Sequence, residues 1–468
     1  MDNEFLENVT FDELTLGRKA TLVRTLTQND INLFAAMSGD VNPAHMDPNY
    51  AQSDIFHGVV GHGMWSGALI STLLGTVLPG PGTIYLEQDI QFKHPVRIGD
   101  ELTLTIVVRD KDDTTKIVNF DCTGVNQKGE VSVEGLAKVI APVKKLKVPR
   151  ISLPHVEILS HDHFNATIES CRDLPPIKTA VVHPVTANVL EAVDDSVKAG
   201  LITPVLIGPI KKIKIAAKEA HIDLSQWEII DTEHSNAAAI KAVELASACK
   251  VDAIMKGALH TDELMSAIVP VTSGLRTKYR ISHVYVMDVP TYHKPLLITD
   301  AAINISPNAA DKADICQNAI NLWRILFGNE HKPKVAILAA VETVNPKMQA
   351  TVDAAILCKM ADRGQICDGI LDGPLAFDNA INKQAAIDKD ILSPVAGDAD
   401  ILLVPEIESG NILAKQLSFL GHADAAGIVL GARVPIILAS RADSLRTRLL
   451  SCAVAVKIAA ARKAGKIK

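Results

Sequence analysis

The hydrophobic period of this chain changes once, near residue 150, and the change sets how many folds the chain must contain. Before it, Glu87–Lys93, Glu101–Arg109, Lys116–Thr123 and Val131–Ile140 alternate polar and apolar residues. Period-two alternation belongs to strands with one buried face, as in an antiparallel sheet that leaves its other face in water. Among these runs lies one long apolar stretch, Val59–Leu78, about the length of a membrane helix. It contains His62 and several glycines and serines, and no second span accompanies it, so we expect a buried helix that covers the sheet. After residue 155 the texture differs. Short unbroken apolar runs (Val205–Gly208, Ala253–Met255, Val335–Leu338, Ile401–Val404, Pro435–Ala439) alternate with alanine-rich helical stretches. Such strands are expected in a mainly parallel sheet covered on both faces.

The boundary is the segment Ala141–Pro154, with prolines at 142, 149 and 154, basic residues between them and no helical period. Proline holds the backbone extended and the charges keep it solvated, which makes a linker. The expected organisation is a first domain over 1–145, a linker over 146–154 and a second domain over 155–468. A length of 468 residues fits more than one domain. Aromatic residues make up only 4% against 48% hydrophobic, so the cores must be aliphatic. With 47 basic and 54 acidic residues and no basic block, binding to nucleic acid or to an anionic membrane is not expected. A small anion needs only a local patch and stays possible. The seven cysteines include no CxxC pair and read as reduced thiols of a cytoplasmic protein, not as a zinc site. The acidic start, MDNEFLENVTFDEL, fits neither a signal nor a transit peptide.

Phe34–Ala51 holds the most chemistry in the first segment. Gly39 and the Asn42-Pro43 pair break the preceding helical pattern and force a tight loop. Asp40 and His45 both sit on it, so their meeting depends on the loop and not on helical spacing. As residues alone they fit turn chemistry. The stretch nevertheless resembles the signature of the MaoC-like, (R)-specific enoyl-CoA hydratases. The similarity continues through His57–Ser71, Leu78–Leu86 and Phe92–Asp100, with mild departures at Met37 and Ala44. It implies an α+β hotdog domain, a sheet wrapped round one hydrophobic helix. It also implies that Asp40 and His45 hold the water that adds to trans-2-enoyl-CoA, giving (R)-3-hydroxyacyl-CoA. Such an acid–base pair is worth ~10²–10⁴-fold in rate. The backbone N–H of Gly63, at the start of the apolar helix, would receive the developing enolate oxygen. Ser71 matches a serine that supports the aspartate in relatives, and a packing role is equally open. His62 is expected to be structural or substrate-lining.

The second segment carries several loops rich in Gly, Asn and Ser, among them Met255–Asp262, Ser273–Thr277, Asp372–Asp378, Ser393–Asp398, Glu408–Ile412 and Ser440–Ser444. Glycines at strand ends let a backbone approach a ligand closely, and Arg and Ser offer donors to phosphate. Neither GxxxxGK[ST] nor GxGxxG occurs, so a P-loop or dinucleotide site is not indicated. Together the loops resemble the phosphate acetyl/butyryltransferases, whose α/β fold is of the isocitrate/isopropylmalate dehydrogenase-like kind. The resemblance implies acyl transfer between CoA and phosphate. It carries Ser440 and Arg441 over as the pair that contacts acyl phosphate, and His260 and Thr261 as a substrate-binding His-Ser/Thr pair. Arg276 and Asn411 join the substrate-binding set. Arg276 and the Ala442-Asp443-Ser444 sequence follow the butyryl pattern, which leaves the acyl preference and the thiol's base open. Asp443 is a candidate base, with an N-cap of the final helix the stronger reading.

The reading is thus a cytoplasmic homo-oligomer with two acyl-CoA activities. CoA thioesters and phosphate are its substrates, and no metal and no other cofactor is expected. One rival makes the second segment a dehydrogenase of the isopropylmalate type, but neither its acidic Mg²⁺ ligands nor its adenine loop can be assembled. Another makes the first segment a non-catalytic acyl-CoA-binding or assembly module, which would have no need of both Asp40 and His45.

Overall fold

The computed structural model describes all residues except 1–3, 153–155, 157, 159–161, 439–444 and 466–468. The chain forms two compact units, Met1–Ile158 and Leu159–Lys468.

In the first unit the strands are β1 (Phe5–Glu7), β2 (Lys19–Thr25), β3 (Ile84–Phe92), β4 (Glu101–Asp112), β5 (Ile117–Asn126), β6 (Val131–Ile140) and β7 (Lys147–Pro149). Five of them make an antiparallel sheet in the order β2-β4-β5-β6-β3. The alternation read from the sequence is the burial pattern in β4 and β5, whereas β3 has no fully buried residue. Leu102, Leu104, Ile106 and Val108 of β4 and Val118, Phe120 and Cys122 of β5 point into one core. Ile70, Leu73 and Leu74 of the apolar helix fill it from the other side. That helix spans Gly63–Thr76, and among the described residues no helix is long and apolar enough to cross a membrane. Within the stretch expected to be linker, β7 pairs antiparallel with β1 and so belongs to this unit.

The second unit contains β8 (Ile177–Val182), β9 (Ile202–Gly208), β10 (Glu228–Asp231), β11 (Ala253–Lys256), β12 (Ser282–Asp288), β13 (Leu296–Thr299), β14 (Lys334–Leu338), β15 (Ile370–Leu375), β16 (Ile401–Leu403), β17 (Asp424–Leu430) and β18 (Ile436–Ile437). They join in one sheet in the order β10-β9-β8-β11-β18-β17-β12-β13-β16-β14-β15. Alternate residues enter cores on opposite faces: Val181 of β8 on one, Ala180 and Val182 on the other. That double burial is why these strands read as unbroken apolar runs.

The sheet is mainly parallel, as expected, with an antiparallel part that the sequence reading did not include. Both flanks are parallel, but β18-β17, β17-β12 and β12-β13 are antiparallel. For β12-β13 and β17-β18 the cause lies in the connections. Residues 289–295 and 431–435 are short links that can reverse the chain but cannot make the long crossover a parallel pair requires. The two parallel flanks therefore meet across an antiparallel centre, and β17 and β18 are the strands that join them.

Candidate functional site

In the first unit the helix Gln28–Ser38 ends at Gly39, which adopts the left-handed conformation (φ 76°) and turns the chain into the Asp40 loop. The Asn42 side chain then caps Ala44 N at 3.1 Å, with Pro43 at the first helical position of the short helix Pro43–Met46. This loop carries Asp40 into the open and leaves His45 half-buried. His45 Nδ1 lies 2.8 Å from the Val60 carbonyl, so that nitrogen donates and Nε2 keeps the lone pair. One carboxylate oxygen of Asp40 and one ring nitrogen each of His45 and His62 all lie within 4.8 Å of one another. Asp40 and His45 are thereby brought together by the loop.

Gly63 opens the apolar helix, with its amide among the free N–H groups of the first turn. A side chain here would press on the Phe92 ring, only 3.1 Å from where a Cβ would stand. Ser71 belongs to the same helix. It lies two turns along the helix, roughly 12 Å from Gly63 at 1.5 Å per residue, and its side chain is exposed. No hydrogen bond among the described residues joins it to Asp40.

In the second unit a cavity of about 720 Å³ brings Thr261 and Arg276 together. Arg280 and Asn304 line the same cavity and were not singled out in the sequence, because an arginine before a strand and an asparagine in a loop carry no local signature. Behind it runs a chain of polar contacts. Arg280 Nε donates to Asn304 Oδ1, its guanidinium reaches Asp311 at 2.8 Å, and Asn304 Nδ2 donates to the Asp300 carboxylate at 2.6 Å. Asp300 also accepts the backbone N–H groups of Ala302, Ile303 and Asn304. Burial pushes its carboxyl above the usual carboxylate range, and these donors oppose the shift.

His260 caps the helix Thr261–Ile268 and is exposed. Its backbone N–H donates to Glu263, which also accepts from Ser235 Oγ at 2.6 Å. Those hydrogen bonds, Ser235 first, hold Glu263 below its ordinary value. Asn411 does not line the cavity. Its Nδ2 donates to the Ala301 carbonyl at 3.2 Å and so braces the Asp300–Asn304 loop from outside. Ser440, Arg441 and Asp443 lie outside the described residues.

Residues 233–456 match the family model described as phosphate acetyl/butaryl transferase, and residues 14–128 match the model of the MaoC like domain. A phosphate acetyltransferase of Rhizobium meliloti is 55% identical over 304 residues, 65% of this chain and 96% of that protein. The chain belongs to the phosphate acetyl/butyryl transferase family. A phosphate butyryltransferase of Clostridium beijerinckii is 38% identical over 301 residues, covering 64% of this chain and 99% of its own. Among solved structures, a branched-chain phosphotransacylase from Enterococcus faecalis V583 aligns with a TM-score of 0.54 at 29% identity. That alignment covers 60% of this chain and 99% of the other. The transferase family thus accounts for the second unit, and the MaoC-like domain precedes it on the same chain.

Proposed function

We propose that the chain is a bifunctional acyl-CoA enzyme. The second unit exchanges an acyl group between CoA and phosphate: acyl-CoA + phosphate ⇌ acyl phosphate + CoA. The observation that carries this reading is the 55% identity with a phosphate acetyltransferase across nearly the whole of that protein. The Thr261–Arg276–Arg280 cavity supports it, since a phosphorylated substrate needs cations and hydroxyl donors on one wall. In the forward direction phosphate attacks the thioester carbonyl and the CoA thiolate leaves. In reverse the thiolate attacks acyl phosphate. A guanidinium fork can hold phosphate and the developing oxyanion in register, a role we assign to Arg441. Arg441→Lys should lose much of the transfer rate in a CoA-release assay, run with acetyl-CoA and butyryl-CoA in parallel. A variant that keeps most of the rate removes Arg441 from the chemistry.

The first unit hydrates trans-2-enoyl-CoA. What supports this is the closeness of the His45 ring to the Asp40 carboxylate, together with the His45 tautomer, in which Nδ1 donates to Val60 and Nε2 keeps a lone pair. Water held by the two loses a proton as its oxygen bonds to C3, the electron pair moves onto the thioester oxygen, and C2 then takes a proton. The Gly63 amide, at the helix N-terminus, meets that oxygen. Neither reaction needs a cofactor beyond its substrates. Asp40→Asn should abolish most hydration of crotonyl-CoA and leave phosphate-dependent CoA release intact. Near-normal hydration in that variant would sink the acid–base assignment. We place the enzyme in the cytoplasm as a homo-oligomer. Exposed Ile84, Leu86 and Phe92 on the edge strand β3 favour self-association, which sedimentation would measure.

A further inference from the structure

The acid–base loop is laced to the segment that leads into the apolar helix. Val60 N donates to the Ala44 carbonyl at 3.4 Å, and His45 Nδ1 donates to the Val60 carbonyl at 2.8 Å. The third rung is His62, whose Nε2 lies 3.0 Å from the backbone carbonyl of Asp40. A carbonyl can only accept, so Nε2 carries the hydrogen and Nδ1 the lone pair. The ring is 3% exposed and packs against His45, with centroids 4.1 Å apart, and against Phe34 at 4.8 Å. Its Nδ1 is buried without a partner, so the donated hydrogen bond is the polar contact that fixes the ring. His62 is also the N-cap residue of the helix whose first residue is Gly63.

We infer that His62 is a positioning residue for hydration, holding Asp40 in register with the Gly63 amide. The inference rests on the hydratase reading of this unit. One side of the residue grips the backbone of the proposed acid–base carboxylate, and the peptide that follows it carries the proposed oxyanion donor. The two functions lie on chain segments more than twenty residues apart, and this hydrogen bond is the direct tie from the Asp40 peptide to the helix start. Displacing reacting groups by about 1 Å can cost on the order of a hundredfold in rate. Substrate affinity is not the quantity His62 controls.

The experiment compares His62→Leu, which removes the donor at similar bulk, with His62→Gln, whose amide reaches about as far as Nε2 and can donate to the same carbonyl. Hydration of crotonyl-CoA is measured in the full chain, with hydrogen exchange of the β4 and β5 core strands as the folding control for the first unit. Kcat of the Leu variant should fall by roughly a hundredfold with KM little changed, and the Gln variant should recover most of the loss. The pH profile of kcat should keep its shape in the Gln variant, because Asp40 and His45 are untouched. Hydrogen exchange of the 39–45 segment should rise with Leu and stay near wild type with Gln.

A Leu variant with wild-type kcat, or a Gln variant no better than Leu, overturns the inference. A Gln variant that loses one limb of the pH profile also overturns it, since His62 would then be an acid or base itself. If the Leu chain does not fold, His62→Asn, too short to reach the carbonyl, takes its place. Wild-type protein that hydrates no enoyl-CoA sinks the hydratase reading and the inference together. Active wild type with an indifferent Leu variant sinks the inference alone.

Discussion

At the scale of single residues, His283 is a buried group of the second unit without polar compensation among the described residues. It lies fully buried in β12, both ring nitrogens lack a partner, and its ring meets Tyr285 edge-on at 4.4 Å. Burial pushes its value down from 6.5 to about 3. Below pH 6.5 the unfolded chain therefore binds a proton that the native chain refuses. Stability from this residue is complete above pH 6.5 and drains as the pH falls toward 3, by about 1.4 kcal/mol per unit. His283→Leu should flatten that slope. Between pH 6.5 and 5 the variant should lose roughly 2 kcal/mol less than wild type in urea unfolding. Equal losses would mean that the histidine finds a proton acceptor in the native state. Residue-scale features were unevenly legible in the sequence. Asp40 and His45 stood out through the resemblance of their stretch to the MaoC-like signature, since the Gly and Asn-Pro pair beside them spoke only for a turn. The bond from His62 to the Asp40 carbonyl left no trace, since nothing in local spacing tells which carbonyl a histidine will reach across twenty residues.

Among the elements, the helix Ala309–Phe327 links stability to the transferase cavity. Its N-cap Asn308 accepts from Asp311 N at 3.0 Å, and the Asp311 carboxylate accepts from Asn308 N while also holding Arg280. Asn308→Ala should cost about 1 kcal/mol by loss of the cap. It should also raise KM for phosphate, because Arg280 loses part of its anchor on the cavity wall. A thermal melt and a phosphate titration check the two effects separately, and an unchanged KM would detach Arg280 from phosphate binding. Elements with a clean period were readable in advance. The β4 and β5 alternation and the apolar helix follow directly from side-chain patterning. The antiparallel centre was not readable, because fully buried strands look alike whichever way they run. For β12-β13 and β17-β18 direction is set by the length of the links at 289–295 and 431–435, and those links have ordinary loop composition.

For the whole molecule, each unit owns its core. One core is confined to residues of Met1–Ile158 and the others to Leu159–Lys468. Expressed separately with the break after Ile158, which leaves β7 with β1, the two pieces should each be soluble. The first should hydrate enoyl-CoA and the second release CoA with phosphate. An insoluble first piece would overturn the reading that this unit folds on its own core. The strand order has a further consequence for how the second unit comes into being. β8, β9, β10 and β11 are complete by residue 256, and β12 to β16 by residue 403, yet these two blocks touch in the sheet only through β17 and β18. During synthesis each block must wait with a bare edge strand until residues 424–437 leave the ribosome and zip them together. A growing chain stopped before that point holds two half-sheets with open edges, the state most exposed to aggregation and most dependent on a chaperone.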